Sequence, residues 1–175
     1  MRERTVPYLE TLVGGAWWTI GAAALDGGFG TVVLAAGLGL TGAIVVALRR
    51  HGPGGPLTRA ARTRLLLVFG ITAALMAVSG TVLGFFDLGE LTVPLACVMT
   101  GVALVSVSSV LDERSVLAAG GGLMVLGAVG AVLAFDSAGA LYPQGVVGLV
   151  AGLLLWTVGA HRTGLLRELR GRARR

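Results

Sequence analysis

Long apolar runs, separated by short polar gaps, make up most of the chain. A helix needs about 20 apolar residues to cross the roughly 30 Å hydrocarbon core of a bilayer, and six runs reach or approach that length. They cover residues 9–25, 29–48, 65–86, 91–111, 116–135 and 141–160. The runs are continuously apolar and lack the alternation of a transmembrane β-strand. The pattern predicts an all-α integral membrane protein, with six transmembrane helices in a single six-span domain over residues 1–175.

The connections predict that the six spans pair into three helical hairpins. The connections after the first, third and fifth spans are short, and each carries an aspartate directly after an apolar residue: Asp26, Asp87 and Asp136. The second helix of each pair is rich in small residues and ends near an arginine. These matched features suggest a triplicated repeat. In the longest connection, between the second and third spans, Thr58 is a predicted N-cap.

Glycine is expected to control how the helices pack. The chain has 29 glycines, and small residues let membrane helices approach closely, because lipid provides no hydrophobic drive for their association. Small residues four apart occur as Gly80/Gly84, Gly127/Ala131 and Gly148/Gly152. A run of three glycines at 120–122 opens the fifth span. We expect these glycines to serve helix packing, with a gating hinge as the alternative.

The composition supports a membrane protein and excludes several other classes. Of the 175 residues, 55% are hydrophobic and only 13% are charged, about half the charge of a soluble domain. The chain therefore fits neither a soluble enzyme nor a disordered segment, and its one cysteine excludes a disulfide scaffold. A sequence pI of about 11.0 does not indicate nucleic-acid binding, which needs basic side chains spread over a soluble face.

The arginines predict the orientation. All 14 basic residues are arginine, and threading six spans through a bilayer puts every one on the side of the two chain ends. The positive-inside rule then predicts that both termini are cytoplasmic, in a multi-pass protein of a bacterial cytoplasmic membrane. The basic tail at 161–175 carries an amphipathic stretch over 164–175. We expect that stretch to lie on the anionic inner leaflet of the bilayer.

The acidic residues on the opposite side are the first candidate site. Asp26, Asp87 and Asp136 take the same place in the three hairpins, with Glu90 and Tyr142 nearby in the sequence. Packed around an axis, three carboxylates would form a ring at an outer vestibule that concentrates cations or shares a proton. The alternative is that these acids are solvated and only reinforce the topology.

The tryptophans are the second candidate site. Trp17, Trp18 and Trp156 lie within spans rather than in a belt at the membrane interface. With Tyr142, they are predicted to bind an apolar or aromatic ligand; bulky side chains facing lipid are the alternative. Cys97 is predicted to be a small buried hydrophobe. No metal or cofactor is expected, because the sequence has no cluster of cysteine and histidine residues.

The layout resembles a known family. Residues 20–28, with the sequence Ile-Gly-Ala-Ala-Ala-Leu-Asp-Gly-Gly, followed by residues 38–50, are similar to the first hairpin of the HdeD-like acid-resistance membrane proteins. That family typically has Trp-Pro-Gly at the outer turn, where this chain has Asp-Gly-Gly. The resemblance implies a stress-linked membrane protein and transfers no catalytic residue.

Three functions follow from these observations as hypotheses. The first is a non-enzymatic permeation or binding unit for a small or apolar molecule, a layout that would also suit the substrate-binding subunit of a vitamin importer. The second is a membrane-embedded isomerase or cyclase for a lipid-soluble terpenoid. There a carboxylic acid (Asp26, Asp87, Asp136 or Glu90) would protonate the substrate and the tryptophans would stabilise carbocations. The third is a scaffold subunit of a larger membrane complex or a homo-oligomer.

Overall fold

Helices form all the regular structure that the computed structural model describes, which covers residues 8–25, 27–50, 58–111, 113–136 and 142–162. The all-helical class predicted from the apolar runs is confirmed. The α-helices are α1 (Tyr8–Ala23), α2 (Gly27–Arg50), α3 (Arg59–Phe85), α4 (Thr92–Leu111), α5 (Arg114–Asp136) and α6 (Tyr142–Arg162). A short 3-10 helix, Gly89–Leu91, precedes α4.

Five of these helices, α2 to α6, are long and apolar enough to cross a membrane. The first helix, α1, has 16 residues and is about 24 Å long at 1.5 Å per residue. It is therefore shorter than the hydrocarbon core of a typical bilayer.

The start of α3 confirms the predicted N-cap. The Thr58 hydroxyl accepts a hydrogen bond from the backbone N–H of Ala61 at 3.2 Å, which satisfies one of the free donors at the helix start. Helix α3 begins at Arg59, six residues before the predicted apolar span. Arginine and alanine favour the helix strongly enough to continue it through this basic segment.

Neighbouring helices run antiparallel and form an open arrangement. The most extensive contacts join α4 to α5 and α1 to α6, and α4, α5 and α6 all contact one another. Within the described ranges, α2 packs mainly on α1, and α3 packs mainly on α4. The buried core therefore lies among α1, α4, α5 and α6. Its members are Trp17, Cys97, Leu104, Val116, Ala119, Leu123, Val147, Ala151 and Leu155.

Glycines form the contact between α1 and α6. A Cβ atom on Gly21 would lie 2.5 Å from the backbone nitrogen of Leu149, and one on Gly148 would lie 2.6 Å from Gly21 Cα. A Cβ on Gly152 would lie 3.0 Å from the Gly14 carbonyl oxygen. Because these contacts are with backbone atoms, side chains at these positions would force the two helices apart. The predicted packing role of the Gly148/Gly152 pair is confirmed.

The α4–α5 contact is built in the same way. A Cβ on Gly120 would lie 2.7 Å from the Gly101 carbonyl oxygen, and one on Gly127 would lie 2.6 Å from the Pro94 carbonyl oxygen. The two contact points are seven residues apart on each helix, as they are for Gly14 and Gly21 on α1. The Gly80/Gly84 pair makes no such close contact in the described part of the chain. A Cβ on Gly80 would lie 3.6 Å from Thr92 Cγ2, an ordinary packing distance, and one on Gly84 would meet nothing within 4 Å.

Candidate functional site

Two of the three tryptophans, Trp18 and Trp156, come together where α1 meets α2 and α6, whereas Trp17 belongs to the buried core. Trp17 and Trp156 are 4% and 3% exposed, so the alternative that they face lipid is wrong for these two residues. The indole of Trp18 stacks on that of Trp156, with ring centroids 5.0 Å apart and planes inclined by 29°. The pairing is possible because glycines lie beneath both rings. Trp18 covers Gly37 of α2, and a Cβ on Gly14 would lie 2.8 Å from Trp156 Cδ1.

The indole N–H groups of Trp18 and Trp156 both donate hydrogen bonds to backbone carbonyl oxygens of the protein. Trp18 Nε1–H donates to the Val33 carbonyl oxygen at 2.7 Å, and Trp156 Nε1–H donates to the Thr11 carbonyl oxygen at 3.3 Å. Each donor therefore has a backbone acceptor on a neighbouring helix. The stacked pair and its two hydrogen bonds thus join α1, α2 and α6. Ligand binding by the tryptophans stays a prediction. Tyr142 is not part of the cluster, since α6 separates its backbone from Trp156 by about 21 Å.

Asp87, which follows the C-terminal end of α3, has an unusual backbone conformation. Its φ angle is 58°, in the left-handed region that glycine normally occupies after a helix. The Leu88 N–H donates to the Leu83 carbonyl oxygen at 2.8 Å, and the Asp87 N–H donates to that of Gly84 at 3.3 Å. These two bonds form a Schellman motif with aspartate in the glycine position. The side chain of Asp87 is exposed.

Glu90 lies one turn further on, in the 3-10 helix whose first residue is hydrogen-bonded to α6. The residue is half-buried on the 3-10 helix. The side-chain amide of Gln144, in the first turn of α6, donates to the Gly89 carbonyl oxygen at 3.4 Å. The structure thus brings the turn that carries Glu90 to the start of α6, where Tyr142 lies. The side chain of Tyr142 is outside the described residues.

The predicted ring of three aspartates stays a prediction. Asp26 lies outside the described residues, as does the side chain of Asp136. The backbone nevertheless shows that the three turns differ. Asp136 is the last residue of α5, whereas Asp87 follows the end of α3 by two residues. After α1 the left-handed residue is Gly27, with a φ of 70°, which follows Asp26. The hairpins are therefore not copies of one another at their turns.

Sequence reasoning missed Glu10. This residue is 3% exposed and is the one charged side chain among the described residues that is buried. It lies in the first turn of α1, on the same helix face as Gly14, Trp17 and Gly21. The spacing of four, three and four residues along α1 marks that buried face. This spacing could have revealed Glu10 as a buried residue.

Cys97 is buried, as predicted. Its side chain is 0% exposed, and its thiol donates to the Leu123 carbonyl oxygen at 3.3 Å, so it fills the α4–α5 contact as a small apolar group. The described residues contain no group of three or more histidine, cysteine or acidic side chains placed to hold a metal ion.

The arginines of the described helices share one end of the bundle. Arg49 and Arg50 end α2, Arg59, Arg62 and Arg64 lie in the first turns of α3, Arg114 begins α5, and Arg162 ends α6. The aspartate turns lie at the other end. We call these the arginine end and the aspartate end.

The apolar helices are those of a multi-pass membrane protein. Comparison with protein-family models, with curated proteins and with solved structures finds no match to this chain. The resemblance to HdeD-like proteins stays a prediction.

Proposed function

We propose that the chain is a six-span membrane protein that binds a small apolar molecule and is not an enzyme. The observation that carries this proposal is the contrast between its helices. Four of them close on one another through glycine contacts and a filled core. The other two leave most of their apolar surface exposed: α3 has no buried residue. The surface open to an apolar molecule is therefore on α2 and α3.

Six spans, rather than five, are supported by the packing of α1. The contacts with α6 extend from Thr11, opposite Trp156, to Gly21 and the following Leu25, opposite Gly145. Helix α1 thus follows α6 through most of the depth of the bundle. A helix that stopped at the membrane surface would not make these contacts. A short span can be accommodated by local thinning of the bilayer.

Both termini are proposed to be cytoplasmic, in a bacterial cytoplasmic membrane, because the arginines lie at one end of the bundle. Single cysteines test this orientation. In intact cells, Gly89→Cys at the aspartate end should react with a membrane-impermeant maleimide. Ser115→Cys at the arginine end should react only after the cells are permeabilised. Buried Cys97 provides an unreactive background. The reverse labelling pattern would overturn the orientation, and cysteines at positions 3 and 173 labelled from opposite sides would overturn the six spans.

The binding proposal is tested by identifying the small molecules that stay bound to the protein during purification. The full chain is purified from membranes in a mild detergent, and the molecules that remain with it are measured by mass spectrometry. We expect one molecular class in fixed proportion to protein. A retained mixture with the composition of the surrounding membrane would contradict binding.

One observation favours the enzyme alternative. Asp87 holds a left-handed backbone that glycine would adopt without strain, and such positions occur at functional sites. In that alternative, Asp87 or Glu90 would protonate a terpenoid alkene. Membranes from cells that express the wild type would then contain a lipid-soluble product. Membranes from cells that express Asp87→Asn or Glu90→Gln would lack it. Identical extracts would exclude this function.

A further inference from the structure

Helices α2 and α3 each carry exposed small residues at intervals of seven, which is close to two helical turns. These residues are Gly28, Ala35 and Gly42 on α2, and Gly70, Ala77 and Gly84 on α3. A Cβ atom on any of the four glycines would meet nothing within 4 Å in the described part of the chain. We call these positions the α2 small face and the α3 small face.

The same spacing builds the contact between α4 and α5. There, Gly120 meets Gly101 and Gly127 meets Pro94, so the contact points are seven residues apart on each helix and the two helices run antiparallel. Small residues at such points let membrane helices approach closely, which is how they associate in lipid. Glycine in an exposed helix, by contrast, only lowers helix stability.

The two small faces match each other in the same antiparallel sense. A single register pairs all six positions: Gly28 with Gly84, Ala35 with Ala77, and Gly42 with Gly70. The faces are therefore complementary to each other along three contact points, one more than those named between α4 and α5. This match in register is a property of the pair of helices, and a small-residue face on one helix alone would not provide it.

Within one chain the two small faces do not meet. Helix α2 packs on α1, and α3 packs on α4. The α1 contact holds α2 through Trp18, whose Nε1–H donates to the Val33 carbonyl oxygen and whose ring covers Gly37. Pairing the faces inside one chain would require these helices to move. A second copy can cover both faces while every described contact stays in place.

We infer that two copies of the chain associate in the membrane, with α2 of each copy packed on α3 of the other. All copies cross the bilayer with the same orientation, so α2 of one copy runs antiparallel to α3 of the other, as the register requires. Since each face is complementary to the other, one two-fold axis forms both contacts and closes the assembly at two copies. The arginines of both copies share one end, where they are exposed to water and salt screens their repulsion.

This inference does not rest on the proposed function. Ile71 and Leu75 are exposed on the side of α3 away from Ala77, because two residues along a helix correspond to a rotation of about 200°. That side of α3 stays open to an apolar molecule in the associated pair.

Cross-linking between two tagged chains tests the contact. Ala35→Cys and Ala77→Cys are made in separate full-length chains with tags of different size, co-expressed, and oxidised in the membrane. We expect a disulfide-linked species that contains both tags. Ala35→Cys co-expressed with Leu75→Cys, on the other side of α3, is the matched control and should give only background. Buried Cys97 is present in every chain, and a chain without an added cysteine gives its contribution.

A second measurement follows the number of chains in mild detergent by native mass spectrometry. Ala35 and Ala36 are both exposed, but only Ala35 lies on the α2 small face. Wild type and Ala36→Leu should be pairs of chains. Ala35→Leu should associate at least about tenfold more weakly, because the larger side chain overpacks two symmetric contacts.

Three results would overturn the inference. The first is as much mixed species with Leu75→Cys as with Ala77→Cys, which would indicate random collision. The second is a double variant, Ala35→Cys with Ala77→Cys, that links only within one chain, which would assign the faces to each other in a single copy. The third is a wild type of one chain in detergent together with no cross-link in the membrane. A single-chain wild type that still retains one apolar molecule would refute the pair and leave the proposed function intact.

Discussion

The indole ring of Trp18 on α1 stacks on that of Trp156 on α6, with centroids 5.0 Å apart and planes inclined by 29°. Each indole also donates to a carbonyl oxygen on another helix, Trp18 to Val33 on α2 and Trp156 to Thr11 on α1. One aromatic pair thereby joins three helices, at a contact where glycine leaves little other side-chain surface.

The stacked pair should show energetic coupling. We expect Trp18→Leu and Trp156→Leu each to destabilise the protein, and the double variant to lose about 0.5–1.5 kcal/mol less than the sum of the two. The measurement is reversible unfolding in mixed detergent micelles. Trp18→Leu combined with Cys97→Ala, at the separate α4–α5 contact, should be additive. Additive effects for the two tryptophans would show that stacking contributes nothing.

Gly37 should tolerate no side chain. A Cβ there would overlap the ring of Trp18, so Gly37→Ala should lower the free energy of unfolding by about 1–3 kcal/mol, the usual cost of overpacking. Gly39→Ala is the matched control on the same helix, because its Cβ would meet nothing within 4 Å. The fluorescence of the stacked indoles should change only for Gly37→Ala. Equal stability of the two variants would contradict the described packing.

Neighbouring glycines on α5 should respond differently to the same change. A Cβ on Gly120 would lie 2.7 Å from the Gly101 carbonyl oxygen, whereas one on Gly121 would meet nothing within 4 Å. We expect Gly120→Ala to cost about 1–3 kcal/mol and Gly121→Ala to be neutral or slightly stabilising. Thermal unfolding in detergent checks both. A gating hinge in this glycine run would instead make both variants alter function at unchanged stability.

Asp87 should be replaceable by glycine with a gain in stability. Its left-handed backbone is unfavourable for a residue with a Cβ, so Asp87→Gly should raise the free energy of unfolding by roughly 0.5–1 kcal/mol. Asp87→Ala, which also removes the carboxylate but keeps the Cβ, should be less stable than either. If glycine proves less stable than aspartate, the carboxylate makes an interaction that outweighs the strain.

The positions of the helices could be predicted from the sequence, but which helices pack against one another could not. The apolar run at 91–111 already contains α4 almost residue for residue, because membrane spans depend on the local composition. The contact between Trp156 and Thr11 joins residues 145 positions apart. Nothing in the periodicity of α1 indicates which distant helix supplies the matching glycines. For the same reason the tryptophans were predicted as a ligand site, since their stacking depends on the α1–α6 contact.

The contact between α1 and α6 also has a consequence for biosynthesis. Roughly 120 residues separate the end of α1 from the start of α6, which a ribosome translates in about 6–24 s at 5–20 residues per second. During that time α1, the shortest of the six α-helices described, is made and left with its glycine face uncovered. Truncation before residue 142 would deprive α1 of its largest contact permanently. Helix α6, synthesised after the other five, therefore completes the burial of α1.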